Sequence, residues 1–223
     1  MASLFQRLKA DCVDDWQAYT QHPFVLGIGD GSLPEASFRD YLVQDYLFLI
    51  QFARAYALAI YKGRSLDEMR GALEGLKAIL DVEMDLHVRL CNRWGLTTSD
   101  LENAPEKTAT VAYTRFVLDA GNAGDLLDLY VALAPCMIGY GEIGARLAAD
   151  GDPKTADDTP YAEWINEYAS LAYQTLVTST TENLDTLASE MMTEARYPRL
   201  RDLFAAATRL EVDFWQMAWE VRS

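Results

Sequence analysis

Leu133-Ala134-Pro135-Cys136-Met137-Ile138-Gly139-Tyr140-Gly141-Glu142-Ile143 carries a thiol and a phenol one helical turn apart, with a proline directly before the thiol. At 3.6 residues per turn Cys136 and Tyr140 share a face, Ala132, Gly139 and Ile143 extend that stripe, and Glu142 points elsewhere. Pro135 removes a backbone donor and crowds the carbonyl four residues back, so a kink is expected beside the sulfur. Ala134 and Gly139 are small enough to leave room there. Spacing alone leaves two readings open. Cys136 fits a small buried hydrophobe, since free cysteine is among the most buried residue types, and Tyr140 an ordinary core aromatic; both also fit a reactive face.

Outward from that stretch, the chain of 223 residues suits a single domain over residues 1–223 with ample length for a core. Nineteen Lys and Arg stand against 34 Asp and Glu, and the net charge of -15 argues against a protein that grips a nucleic-acid backbone. No run of about eighteen uninterrupted apolar residues is present, so no membrane span is expected. The segment Met1 to Ala10 soon meets Asp11, Asp14 and Asp15, which leaves no apolar signal region. Cys12, Cys91 and Cys136 are odd in number and far apart, which suits a reducing cytoplasm.

Periodicity predicts helices and no strands. The first is expected from about Ser3 to Gln21, stopped by His22-Pro23. Gly27-Ile28-Gly29-Asp30-Gly31 lacks the spacing of a phosphate loop and reads as a connection. Ser32-Leu33-Pro34-Glu35 reads as a capping box opening a helix to Gly63, on which Tyr41, Asp45, Phe48, Leu49 and Phe52 share a side. A carboxylate on such a stripe needs a partner or an exposed edge. Ser65 opens a helix that runs to Trp94, stops at Gly95 and carries Glu83 and His87 at i and i+4, a pair read as a packing contact because no second ligand cluster accompanies it. Leu96 to Lys107 reads as a loop. Thr108 to Gly121 is helical, and Asp125 caps the helix of the opening stretch, which breaks at Asp150-Gly151-Asp152-Pro153. Thr159-Pro160 starts another helix with Tyr161 in its first turn, a position equally suited to packing. The Ser and Thr residues after Thr178 suggest a bend. On the last helix, opened by Tyr197-Pro198, Glu211 sits inside the stripe of Leu203, Ala207, Leu210, Phe214 and Ala218. Seven or eight helices with short loops imply an all-α bundle around one core.

Five pieces in order, Gln44-Asp45-Tyr46, Ala112-Tyr113-Thr114, Pro135-Cys136 with Tyr140, Tyr161 to Ile165, and Glu211-x-x-Phe214-Trp215, resemble the TenA family, the aminopyrimidine aminohydrolases also called thiaminase II. The resemblance covers essentially the whole chain and falls in the cysteine-bearing branch. It implies a single-domain, heme-oxygenase-like all-α bundle, commonly a cytoplasmic homotetramer, that acts in thiamin salvage. It further implies Cys136 as nucleophile, Glu211 as acid/base, Asp45 on the pyrimidine, and Phe48, Tyr113, Tyr140 and Tyr161 lining the pocket. Phe48 departs from the tyrosine expected there, so a ring face is kept and a hydroxyl lost.

The residues suit that chemistry independently. An aminopyrimidine has apolar faces and a polar edge, and aromatic walls with a few aimed carboxylates match it. An acid on a ring nitrogen makes neighbouring carbons electron-poor, a thiolate adds, and the group on the exocyclic methylene leaves. No metal or organic cofactor is called for, and nucleic-acid and membrane partners are not expected. A metal-dependent oxygenase, starting from Glu83 and His87, and a non-catalytic regulator on the same fold are the competing readings. Whether thiamin or its degraded aminopyrimidine is preferred depends on the room beyond the methylene carbon.

Overall fold

A computed structural model of the chain describes residues 3–93, 95–150 and 159–221. Among them the apolar periodicity becomes α1 (Leu4–Asp11), α2 (Val13–Thr20), α3 (Pro23–Asp30), α4 (Glu35–Lys62), α5 (Leu66–Lys77) and α6 (Met84–Arg93). There follow α7 (Thr98–Glu102), α8 (Thr108–Ala123), α9 (Leu126–Asp150), α10 (Ala162–Ala169), α11 (Leu171–Met191) and α12 (Tyr197–Trp219). A π-helical turn, Ala78–Glu83, joins α5 to α6. The described residues contain no strand.

Helix α9 lies at the centre because it is apolar on every side: each residue from Leu126 to Gly141 is buried. Helices α8, α10, α11 and α12 pack around it, and α4 bridges α8, α12 and α5. By length and composition α9 is the one described helix that could cross a membrane, yet 94% of its most apolar window is buried inside the protein. The apolar character of α9 therefore builds the core.

Several local expectations are corrected. The first predicted helix is two, because Cys12 leaves helical dihedrals (φ -119°, ψ 32°) and Asp14 and Asp15 open a new first turn. The glycine segment is helical through Asp30, and Gly31 alone in it adopts left-handed φ, 76°. Gly27 belongs inside α3 because the Leu33 backbone closes over it, with Leu33 N–H donating to its carbonyl at 3.0 Å. Ser32 is not a cap: α4 starts after Pro34, with no side-chain cap at its first turn. Ser65 does cap α5, accepting from the Glu68 N–H. The polar stretch 96–107 holds the short helix α7, closed by a Thr97–Asp100 capping box. Helix α10 starts two residues later than expected, with Tyr161 at its N-cap. No bend follows Thr178; α11 runs straight through, since Thr178 and Thr181 hydroxyls donate to carbonyls four residues back. Helix α9 continues through Pro135 on both sides. The room expected at Gly139 is taken by the Tyr19 ring, whose hydroxyl donates to the Pro135 carbonyl at 3.3 Å. The stop expected at Gly95 is found: α6 ends at Arg93 and Gly95 adopts left-handed φ, 75°, whereas Trp94 and the break expected at residues 151–153 lie outside the described residues.

Candidate active site

Helix α4 carries Asp45 into the core, where its Oδ2 accepts from the Tyr41 hydroxyl at 2.9 Å and lies 2.5 Å from His87 Nε2 on α6. The other ring nitrogen of His87 is 2.8 Å from the Glu83 carbonyl oxygen. Nδ1 meets a hydrogen-bond acceptor, and Nε2 lies at ion-pair distance from Asp45 without hydrogen-bond alignment, so the protonated ring pairs with Asp45 by charge. Burial pulls the His87 pKa down, but the Asp45 carboxylate outweighs it and leaves the pKa raised. The Tyr41 hydroxyl in turn accepts from Trp164 Nε1 at 3.1 Å, which ties α10 to the same point.

Helix α12 brings Glu211, buried on the stripe where the sequence places it. Burial pushes its pKa up to about 8, the Tyr113 hydrogen bond offsets part of the rise, and the Asp45 charge adds to it. Tyr113, on α8, donates to Glu211 Oε1 at 2.8 Å. The π-helical turn brings Glu83, also pushed up to about 8 by burial and then by Asp45. Its Oε1 is buried with no hydrogen-bond partner among the described residues.

Cys136 stands among these acids. Burial first, then the charges of Glu211, Glu83 and Asp45, push its thiol well above the ordinary range. All three carboxyl groups are thus within electrostatic reach of the sulfur. It retains 8% exposure while Ala132, Leu133 and Ala134 beside it on α9 have none.

Aromatic rings wall the group on two sides. Phe48 packs on Tyr113 at 5.0 Å, Phe52 at 5.1 Å and Phe214 at 5.5 Å between centroids. Tyr140 packs on Tyr168 at 5.0 Å, Trp215 at 5.2 Å and Trp164 at 5.9 Å. Tyr41 touches both walls, through Phe214 at 6.2 Å and Trp215 at 5.2 Å. Flat faces with edge-directed acids suit a planar heteroaromatic ligand.

Of the residues singled out in the sequence, the structure gathers Cys136, Asp45, Glu211, Phe48, Tyr113 and Tyr140. Tyr161 does not join them: its hydroxyl donates to the Leu33 carbonyl and its ring packs on Phe38 at 4.7 Å. One residue stands there that spacing could have suggested, Tyr168, two turns further along the same face. It lies against Tyr140, and its buried hydroxyl has no partner among the described residues. His87 and Glu83 were visible as an i, i+4 pair, but the partner that gives His87 its charge is on another helix.

A cavity of about 620 Å³ lies between α4, α5, the π-helical turn, α9 and α11, and Glu83 forms part of its wall. Cys136, Asp45, Glu211, Phe48, Tyr113, Tyr140 and Tyr161 do not line it.

The model of the family described as TENA/THI-4/PQQC matches residues 10–221. The chain belongs to this family. It is 40% identical over 207 residues to an aminopyrimidine aminohydrolase of Halalkalibacterium halodurans, an alignment covering 93% of this chain and 91% of that protein. Among solved structures it is similar to a TenA family transcription regulator from Silicibacter sp. TM1040, with 42% identity, TM-score 0.91, and coverage of 98% of this chain and 97% of the other. A domain of unknown function with a heme oxygenase-like fold from Shewanella denitrificans OS217 shares the architecture at 14% identity and TM-score 0.74, covering 97% of this chain and 92% of that one. This TENA/THI-4/PQQC chain is a single heme-oxygenase-like all-α domain and a hydrolase.

Proposed function

We propose that this protein is an aminopyrimidine aminohydrolase of the thiaminase II type, working in thiamin salvage, with Cys136 as its nucleophile. The observation that carries the reading is a buried thiol on α9 that feels the charges of Glu211 and Asp45, in a core rich in aromatic rings, in a chain similar over most of its length to a protein named for that activity.

In the proposed reaction the pyrimidine lies between the Phe48–Tyr113 and Tyr140–Trp215 walls and presents its polar edge to Asp45. Asp45 Oδ2 is held by Tyr41 and His87, which fixes the carboxylate in place. Glu211, protonated below about pH 8, gives its proton to a ring nitrogen as the sulfur bonds to the adjacent ring carbon; the thiol proton returns to Glu211. Electrons returning from the ring expel the amine, bound as its ammonium form, from the methylene carbon as ammonia, and water adds there and gives its proton to the ammonia. The carbon–sulfur bond then breaks, and the sulfur takes back the proton from the ring nitrogen, which restores both the thiol and the aromatic ring. The raised thiol pKa fits this order, because the thiolate forms only as the ring accepts a proton.

Cys136→Ala tests the proposal. Ammonia release from 4-amino-5-aminomethyl-2-methylpyrimidine should fall at least about 1000-fold, while binding by calorimetry stays within about threefold. Full turnover in the variant would sink the mechanism. We also propose a cytoplasmic homotetramer, to be checked by light scattering of the purified protein.

A further inference from the structure

Side chains from other helices donate to backbone carbonyls of α9 on both sides of the thiol. The carbonyl of Pro135, directly before Cys136, accepts from the Tyr19 hydroxyl at 3.3 Å, and that of Met137, directly after it, accepts from the Tyr173 hydroxyl at 3.2 Å. One turn further on, the Gly141 carbonyl accepts from Gln174 Nε2 at 2.9 Å. A carbonyl oxygen has two lone pairs, so each can serve the helix ladder and still take a second donor.

Two of these donors, Tyr173 and Gln174, are neighbours in the first turn of α11, which Ser170 caps by accepting from the Tyr173 N–H at 3.1 Å. The same Gln174 nitrogen also donates to the Tyr168 carbonyl at 2.8 Å, near the end of α10, where a helix runs out of partners for its carbonyls. An amide nitrogen has two protons, so one serves the helix of the nucleophile and the other the backbone of Tyr168. Tyr168 is tight against α9: a methyl group on Gly144 would come within 2.5 Å of its Cβ. The rings of Tyr168 and Tyr173 meet edge to face at 4.9 Å. The joint between α10 and α11 is therefore clipped to α9 in one register. Through that clip the helix of the Cys136 thiol is tied to Tyr168, whose buried hydroxyl has no hydrogen-bond partner among the described residues. Such a tie matters because a reacting group misplaced by about 1 Å can lose about 100-fold in rate.

We infer that Tyr173 and Gln174 are positioning residues: Tyr173 holds the turn that carries Cys136, and Gln174 holds Tyr168 against the same helix. The inference rests on the aminohydrolase reading and adds to it two residues that act through Cys136 and Tyr168.

The experiment measures kcat and KM for ammonia release from the aminomethylpyrimidine, with urea unfolding alongside, for the wild type, Tyr173→Phe, Gln174→Met, Tyr168→Phe and the variant combining the last two. Tyr173→Phe should lower kcat about tenfold with KM within about twofold, since the thiol acts in the chemical step. Gln174→Met should raise KM about fivefold with kcat within about twofold. In the Tyr168→Phe background it should change KM by less than about twofold, because the group it positions is already gone. Gln174→Glu keeps the side-chain length and loses the N–H donors, and it serves in place of Gln174→Met where that variant does not fold. Both constants unchanged within about twofold in both single variants overturns the inference. So does a joint fall in kcat and rise in KM that tracks lost stability, and so does a Gln174→Met effect of full size in the Tyr168→Phe background. A wild type that releases no ammonia overturns the aminohydrolase reading itself, and the inference with it.

Discussion

Asp45 Oδ2 and His87 Nε2 lie 2.5 Å apart with both side chains closed to solvent, pairing α4 with α6 by charge in the middle of a helical core. The pair sets the charge state around it. One carboxylate is matched by one imidazolium, and the Asp45 charge helps hold Glu83 and Glu211 in their protonated forms near neutral pH.

His87→Gln should therefore destabilise the fold by about 3–5 kcal/mol in urea unfolding at pH 6, because it strands a buried charge. The folded His87 pKa is raised above its ordinary 6.5, so its contribution is fully present below that value and is lost as pH rises through the folded pKa. The stability gap between wild type and variant should close toward alkaline pH. A gap that stays constant from pH 5 to 10 would show that His87 acts by packing and not by charge.

The two buried acids give the opposite kind of signature from a surface carboxylate. With folded pKa values of about 8 against ordinary values of 4.5, the native state binds extra protons between those limits. Stability should fall as pH rises through that window and level off above it, with each acid contributing up to about 1.4 kcal/mol per pH unit. Unfolding measured from pH 5 to 9 should show a shallower slope for Glu83→Gln and for Glu211→Gln, and the shallowest for the pair combined. Only Glu211→Gln should also abolish turnover of the aminomethyl substrate, by about 100-fold or more.

Tyr168→Phe separates ligand binding from stability. The hydroxyl has no partner among the described residues, so its removal should leave stability unchanged or raise it by about 1 kcal/mol. If that hydroxyl is reserved for the pyrimidine edge, KM should rise about tenfold. An unaltered KM would remove Tyr168 from the site.

Gly139→Ala probes the support behind the thiol. A methyl group there would sit 2.4 Å from the Tyr19 ring, whose hydroxyl bonds the Pro135 carbonyl. Chemical unfolding should report a loss of about 1–3 kcal/mol from overpacking. Activity should fall with it, since the displaced ring adjoins the turn that carries Cys136. Tyr19→Phe, which keeps the ring, should cost less than about 1.5 kcal/mol.

The helical class and most element positions were legible because burial imposes a 3.6-residue period on the chain. Cys136 and Tyr140 fall together on α9, and Glu211 sits inside the stripe of α12, as that period requires. Errors came where a side chain could meet a backbone need in more than one way. The Ser and Thr run after Thr178 reads as a bend, yet its hydroxyls find carbonyls within the helix. Ser32 reads as a cap, yet the chain turns into α4 only after Pro34.

By itself the sequence determined an all-α bundle and the residues that share each helical face, since periodicity is a property of one helix at a time. Tertiary structure alone decided which faces meet. It sent Tyr161 to Leu33 and left Tyr168 beside Tyr140, gave Asp45 the His87 cation, and opened the cavity beside Glu83. Those outcomes depend on the distance and angle between helices far apart in the chain, and a one-dimensional pattern carries neither.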